Sequence, residues 1–141
     1  MSSPPPVRGV LVGHGDMPFG MADAVRQITG AGEEALLPLS NRGLSPDTLT
    51  QAVQERVGDQ PAILFTDMQS GSCSFVARRL TQQRPGLAVV SGVNLSLLLE
   101  FVMHRELPLE QLVPRLLSRG RAAIGCTPAE LEANEHRAVA G

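Results

Sequence analysis

Four short apolar runs alternate with amphipathic stretches along the chain. The first, Val7 to Val12, is interrupted only by Arg8 and Gly9 and stops at Gly13-His14-Gly15. The second, Ala35 to Leu39, is bent or ended by Pro38. The third, Ala62 to Phe65, is wholly apolar, which predicts a central strand buried on both faces. Leu87 to Val90 is the fourth. Between and after them, apolar residues recur at helical spacing: Met21, Val25 and Ile28; Leu49, Ala52, Val53 and Val57; Cys73, Val76, Ala77 and Leu80; Leu95, Leu98, Leu99 and Val102. Asp16 is placed to cap the first helix, Ser45 with Pro46 to start the second, and Asn94 to cap the fourth. A fifth helix carries Leu109, Leu112, Val113, Leu116 and Leu117, with Pro114 as a kink. Arg121 to Gly125 reads as one more short strand. Residues 1–6 read as a disordered Ser/Pro tail, 7–126 as one domain, and 127–141 as a polar, alanine-rich helix or tail.

Strands alternating with helices predict an α/β fold, a doubly wound and mostly parallel sheet with helices on both faces. With about four parallel strands the expected order is 2-1-3-4, plus the short C-terminal strand. In that order the first and third strands are neighbours, and the topological switch point lies between their C-terminal ends. The end of the first strand is His14 and the end of the third is Thr66-Asp67. Two residues far apart in sequence thus become adjacent, where such sheets place their ligands.

Composition narrows the function classes. At 141 residues the chain is long enough for one domain with a substantial core. A net charge of −2 gives no electrostatic footprint for nucleic acid. All 12 basic residues are Arg, so lysine chemistry is excluded. Cys73 and Cys126 do not make a disulfide framework. No secretory signal is visible at Met1 to Pro6 and no apolar run approaches a membrane span, so a cytoplasmic protein without membrane insertion is expected. His104 and His136 lie outside the turns at the strand ends and no Cys/His cluster appears, so neither a metal nor a cofactor is expected.

A carboxylate bonded to one imidazole nitrogen fixes the tautomer and raises the basicity of the other nitrogen. Asp67 can do this for His14, making the ring a phosphoryl acceptor. Gly71-Ser72-Cys73 opens the third helix, so free backbone N–H groups and the positive end of its dipole face the same crevice. The Ser72 hydroxyl adds a donor. Phosphoryl transfer needs little beyond such positioning and charge stabilisation. Blander readings stand beside these: Asp67 as a cap of its own turn, Ser72 as a helix cap, Asn94 as a plain N-cap. Cys73 is either a small buried residue or a thiol activated by the helix N-terminus.

Three stretches carry a resemblance. His14-Gly15 with Gly20, Ala24 and Ile28-Thr29-Gly30 is similar to the active-site segment of the mannose-family EIIA domains of the bacterial sugar phosphotransferase system. Thr66-Asp67-Met68-Gln69-Ser70-Gly71-Ser72 resembles their second signature, a strand, Thr-Asp and a turn of the form Gly-Gly-Ser/Thr-Pro. Ser91-Gly92-Val93-Asn94-Leu95 resembles the third, Gly-Val-Asn before an apolar helix. The resemblance covers roughly residues 7–125. It implies a homodimer that exchanges a C-terminal strand, here Arg121 to Gly125. It implies that His14 takes a phosphoryl group from the carrier HPr and passes it to a histidine of an EIIB partner. Asp67 would orient the ring, and Gly71, Ser72 and Cys73 would bind the phosphoryl oxygens. The chain departs from the pattern at Met68-Gln69, Ser70, Cys73 and Phe75, in the turn that would face the partner.

Other classes remain open on the sequence. One is a phosphorylation-dependent regulatory module not tied to transport. Another is the phosphoryl-donor subunit of a dihydroxyacetone kinase, and a third a structural dimer without phosphoryl chemistry.

Overall fold

A computed structural model describes residues 4–133. Four strands and five α-helices follow in the order β1 (Arg8–Gly13), α1 (Met17–Thr29), β2 (Leu36–Ser40), α2 (Pro46–Val57), β3 (Ala62–Thr66), α3 (Ser72–Gln83), β4 (Leu87–Ser91), α4 (Leu95–Met103) and α5 (Leu109–Ala122). A short 3-10 turn, Glu33–Ala35, precedes β2. The sheet is parallel throughout, in the order β2-β1-β3-β4. The expected α/β class and strand order are those observed.

Alternation along the central strands divides the core. Leu11, Ile63 and Phe65 face α1, α4 and α5, where Phe65 meets Phe101 edge-on with ring centroids 4.9 Å apart. Val10, Val12 and Leu64 face α2 and α3, packing on Leu49, Val53, Val76 and Leu80. The β1–β3 pairing places Val12 beside Thr66, so the chain leaves both central strands at one level, toward His14 and Asp67.

Three expectations change. Pro38 neither bends β2 out of the sheet nor ends it; it pairs with Leu11, and β2 runs on to Ser40. β2 is an edge strand, where a missing N–H can face away from the ladder. Ile28 is 60% exposed; the buried stripe of α1 is Pro18, Ala22 and Val25. The C-terminal strand at Arg121 to Gly125 does not form. Arg121 and Ala122 are the last residues of α5, and 123–126 pair with no strand among the described residues. The apolar stripe of α5 runs on to the buried Gly120, where Leu97 packs against the backbone, and that packing carries the helix past the start of the expected strand. Pro114 lies inside α5, whose helical assignment runs through it from Leu109 to Ala122. Residues 130–133 make a helical turn; the rest of the expected tail, with His136, lies outside the described residues.

Candidate active site at the switch point

Everything that shapes the site hangs from the ends of β1 and β3. Gly13, the last residue of β1, lets the carboxylate in: a Cβ there would lie 3.3 Å from Asp67 Oδ2 and 3.0 Å from the Met17 side chain. His14 follows. Its backbone N–H donates to Asp67 Oδ2 at 2.9 Å, and its ring Nδ1 lies 2.6 Å from the same oxygen. An ionised carboxylate only accepts, so Nδ1 carries the proton and Nε2 keeps its lone pair. The imidazole is about half exposed, at 46%, while the Asp67 side chain is 17% exposed.

Burial pushes the Asp67 carboxyl up, but the side-chain and backbone hydrogen bonds from His14, with the charge the ring carries when protonated, outweigh it and hold the group below the ordinary carboxylate value. Its other oxygen, Oδ1, has no hydrogen-bond partner among the described residues. Asp67 Oδ2 accepts from both the backbone and the ring N–H of His14.

The turn after Asp67 is fixed from three sides. Thr66 Oγ1 donates to Met68 O at 3.1 Å and lies 2.9 Å from Ser91 Oγ. Ser74 Oγ donates to Gln69 O at 2.9 Å. The amides of Gly92 and Val93 donate to Thr66 O at 3.0 and 3.3 Å. Asn94 accepts from Leu97 N and donates to Gly120 O at 2.9 Å, so it caps α4 and ties α5 to it. Asn94 is thus the N-cap that one of the two readings gave it, and the Gly-Val-Asn stretch buttresses the site from behind.

Gly71 with φ +98 is the N-cap residue of α3, and Ser72 is its first helical residue, not the cap expected. A Cβ on Gly71 would lie 3.6 Å from His14 Cε1 and 3.8 Å from Nε2, so the helix opens beside the free nitrogen. The first intrahelical bond is Phe75 N to Gly71 O at 3.0 Å; the amides of Ser72, Cys73 and Ser74 precede it and have no helical acceptor. Cys73 is fully buried in the α2–α3 core. Burial, with Asp67 nearby, pushes its thiol up, so the activated-thiol reading falls. His14, Asp67 and Cys73 each present a metal-type donor atom within 4.8 Å of the others. Of these, His14 Nδ1 and Asp67 Oδ2 are 2.6 Å apart, and Cys73 is a buried core residue beside them.

Two residues of the loop after β2 also belong here. Asn41 N–H donates to Gly13 O at 3.0 Å, and its side-chain amide approaches Ser72 Oγ at 3.5 Å. Arg42 Nη2 would lie 3.4 Å from a Cβ on Gly15, and Arg42 Nη1 pairs with Asp16 at 3.1 Å. Asp16 stands at the N-cap position of α1, but its side chain makes no capping bond and goes to Arg42 instead. The available signal was the strand order: β2 flanks β1, so its C-terminal end also borders His14.

Fold and site together define a doubly wound α/β domain with a His–Asp pair and a helix N-terminus at the switch point. The family model described as PTS system fructose IIA component, EIIA-man, matches residues 9–113, and the chain belongs to that family. It is therefore an EIIA-type phosphotransfer component of a phosphotransferase system for sugars. Among solved structures, it is similar to the phosphotransferase system component EIIA from Streptococcus agalactiae, at 25% identity and TM-score 0.79 over 85% of this chain and 96% of that one. It is also similar to the mannose/sorbose specific IIA subunit from Enterococcus faecalis, at 23% identity and TM-score 0.74 over 89% and 95%. A sigma-54 interaction domain protein from Enterococcus faecalis shares the fold at 15% identity and TM-score 0.70 over 86% and 95%. No curated protein matches the chain.

Proposed function

We propose that His14 accepts a phosphoryl group from the phosphohistidine of HPr and passes it to a histidine of an EIIB partner in sugar uptake. The observation that carries this reading is the 2.6 Å bond from His14 Nδ1 to Asp67 Oδ2, which leaves Nε2 unprotonated beside the opening of α3. In the transfer, the Nε2 lone pair forms a bond to phosphorus as the donor's N–P bond breaks, and the donor imidazole leaves with that electron pair. No proton moves. The phosphorylated ring is cationic, with its proton still on Nδ1, and the Asp67 carboxylate stabilises it. The Gly71, Ser72 and Cys73 amides and the Ser72 hydroxyl take up the phosphoryl oxygens. Handing the group on reverses these steps.

Protein-to-protein transfer needs a docking face around the nucleophile. Phe19 at 48%, Met68 at 48% and Phe75 at 54% exposure stand in the first turn of α1, the turn after β3 and the first turn of α3. These are large apolar groups on the segments that carry His14 and Gly71, which suits partner docking. Two of them, Met68 and Phe75, are departures from the family pattern, so they suit a matched HPr and EIIB pair. No helix among the described residues is long and apolar enough to cross a membrane, in keeping with a cytoplasmic carrier. The outer edge of β4 pairs with no strand among the described residues, and we assign it to a second copy of the chain in a homodimer.

Incubation with phosphoenolpyruvate, enzyme I and HPr tests the reading. The expected product is an acid-labile phosphohistidine at His14, absent in His14→Ala and discharged by the cognate EIIB. Failure to form it, or its persistence in His14→Ala, overturns the assignment. The likeness to the sigma-54 interaction domain protein keeps a second outcome in view: phosphorylation of His14 with no EIIB acceptor would mark a regulatory module.

A further inference from the structure

We infer that Arg42 is the cation that holds the phosphoryl group on His14, and that Asp16 keeps it waiting in the bare protein. This rests on the carrier reading above and adds a side chain to it.

The argument starts from charge. A phosphoryl group on Nε2 brings two negative charges to a site that already holds Asp67 and Asp16. The chain has no lysine, so the balancing side chain is an arginine. Three of the arginines around the sheet are committed elsewhere: Arg8 to Arg56 O at 2.8 Å, Arg84 to Gln60 O at 2.7 Å and Arg105 to Val7 O at 2.8 Å, all at the N-terminal edge. Arg42 is placed differently. Its loop is pinned to the end of β1 by Asn41 N to Gly13 O at 3.0 Å and closed by Leu44 N to Asn41 O at 3.1 Å. Its guanidinium rests over Gly15, the residue after the nucleophile, where φ is +59 and no side chain intervenes.

Its partner is weak by construction. The Arg42–Asp16 pair is 3.1 Å long, but the two side chains are 67% and 84% exposed. Exposed pairs of this kind exchange readily. Asp16 is one carboxylate in solvent; a phosphoryl group offers three oxygens and more charge, in the geometry that suits a guanidinium fork. Phosphorylation therefore draws Arg42 off Asp16 and onto the phosphoryl oxygens, opposite the α3 amides. Asn41 works with it as a positioning residue. Its amide donates toward Ser72 Oγ across 3.5 Å, which leaves the Ser72 proton free for a phosphoryl oxygen.

The test uses inorganic phosphate as the probe at constant ionic strength, followed by the His14 imidazole resonances, and so does not depend on turnover. Circular dichroism checks that each variant is folded. Arg42→Ala is expected to weaken phosphate binding about tenfold, the effect of one charge-assisted bond, with partial recovery in Arg42→Lys. Asp16→Asn is expected to tighten it, and most of that gain should vanish when Arg42→Ala is added. Equal affinity in wild type and Arg42→Ala, or no phosphate-dependent shift at His14 in the wild type, overturns the assignment. A gain in Asp16→Asn that survives intact without Arg42 overturns the holding role. Phospho-HPr assays on the same proteins separate the two readings. Normal phosphorylation of both wild type and Arg42→Ala leaves the carrier standing and removes Arg42. Phosphate binding that needs Arg42, in a protein phospho-HPr does not label, leaves the Arg42 site and removes the carrier.

Discussion

At the N-terminal edge of the sheet, the guanidiniums of Arg8, Arg84 and Arg105 each donate to a backbone carbonyl, and Val7 and Arg105 bond one another in both directions at 2.8 and 2.9 Å. At the C-terminal edge, Arg42 holds only an exposed carboxylate, Asp67 Oδ1 has no partner, and three amides at the start of α3 have no helical acceptor. One edge commits its arginines to backbone carbonyls; the other keeps some polar groups without such partners among the described residues. Under the proposed function, stability and phosphoryl transfer sit at opposite ends of the same strands. A parallel sheet makes this natural, because all strand C-termini open on one side.

Exchanging groups at each edge should therefore give effects of different kind. The largest is expected for Asp67→Asn. Its amide cannot accept as a carboxylate does, and phosphorylation of His14 should slow about 10- to 100-fold, the range for losing an orienting partner. Its thermal stability should fall only by the small share that the lowered Asp67 pKa contributes; loss of the fold along with the rate would make Asp67 structural. Next is Gly71→Ala. Its φ of +98 is a conformation that side chains avoid, so about 1–3 kcal/mol of stability should be lost together with transfer rate. Gly86→Ala, at φ +82 on the other edge with no atom within 4 Å of the added Cβ, carries strain of the same kind. Denaturant titration should show its loss of stability while phosphorylation continues at the wild-type rate. Arg105→Ala should cost about 1–2 kcal/mol, the lower part of the range for a charged hydrogen bond because the side chain is half-buried, and leave transfer unchanged.

The smallest effect is in pH. The folded Asp67 pKa lies below the ordinary 3.8, so the unfolded chain binds the extra proton first as pH falls. Asp67 therefore stabilises the fold fully well above 3.8, and that contribution fades as pH drops through 3.8 and on through the lower folded value. Acid titrations of wild type and Asp67→Asn should converge in that window; curves that stay parallel would show that the pairing adds no stability.

What could be read along the chain was periodicity and its consequences. Val10 to Val12 and Ala62 to Phe65 identify themselves as central strands because both faces must be apolar. The strand order then brings His14 to Asp67 without any contact being known. Ser45, accepting from Thr48 N at 3.2 Å, and Asn94 cap their helices because a cap is a local bond between near neighbours. The misses share a physical cause. Asp16 had the spacing of a cap, but a guanidinium from β2's end offered its carboxylate a better partner. Arg121 and Ala122 had strand-like neighbours, but the packing of Gly120 on Leu97 favoured continued helix. Asn41 and Arg42 carried no pattern at all, since a loop residue is placed by what its strand lies beside.

The sequence by itself determined the α/β class, the strand order and the meeting of His14 with Asp67, because burial patterns and topology rules act through residue type and spacing. Only the tertiary structure decided which nitrogen of His14 faces Asp67, that the Cys73 side chain is buried in the core, and that Arg42 stands over Gly15. Those depend on distances between segments that share no periodicity, and such distances are set by packing.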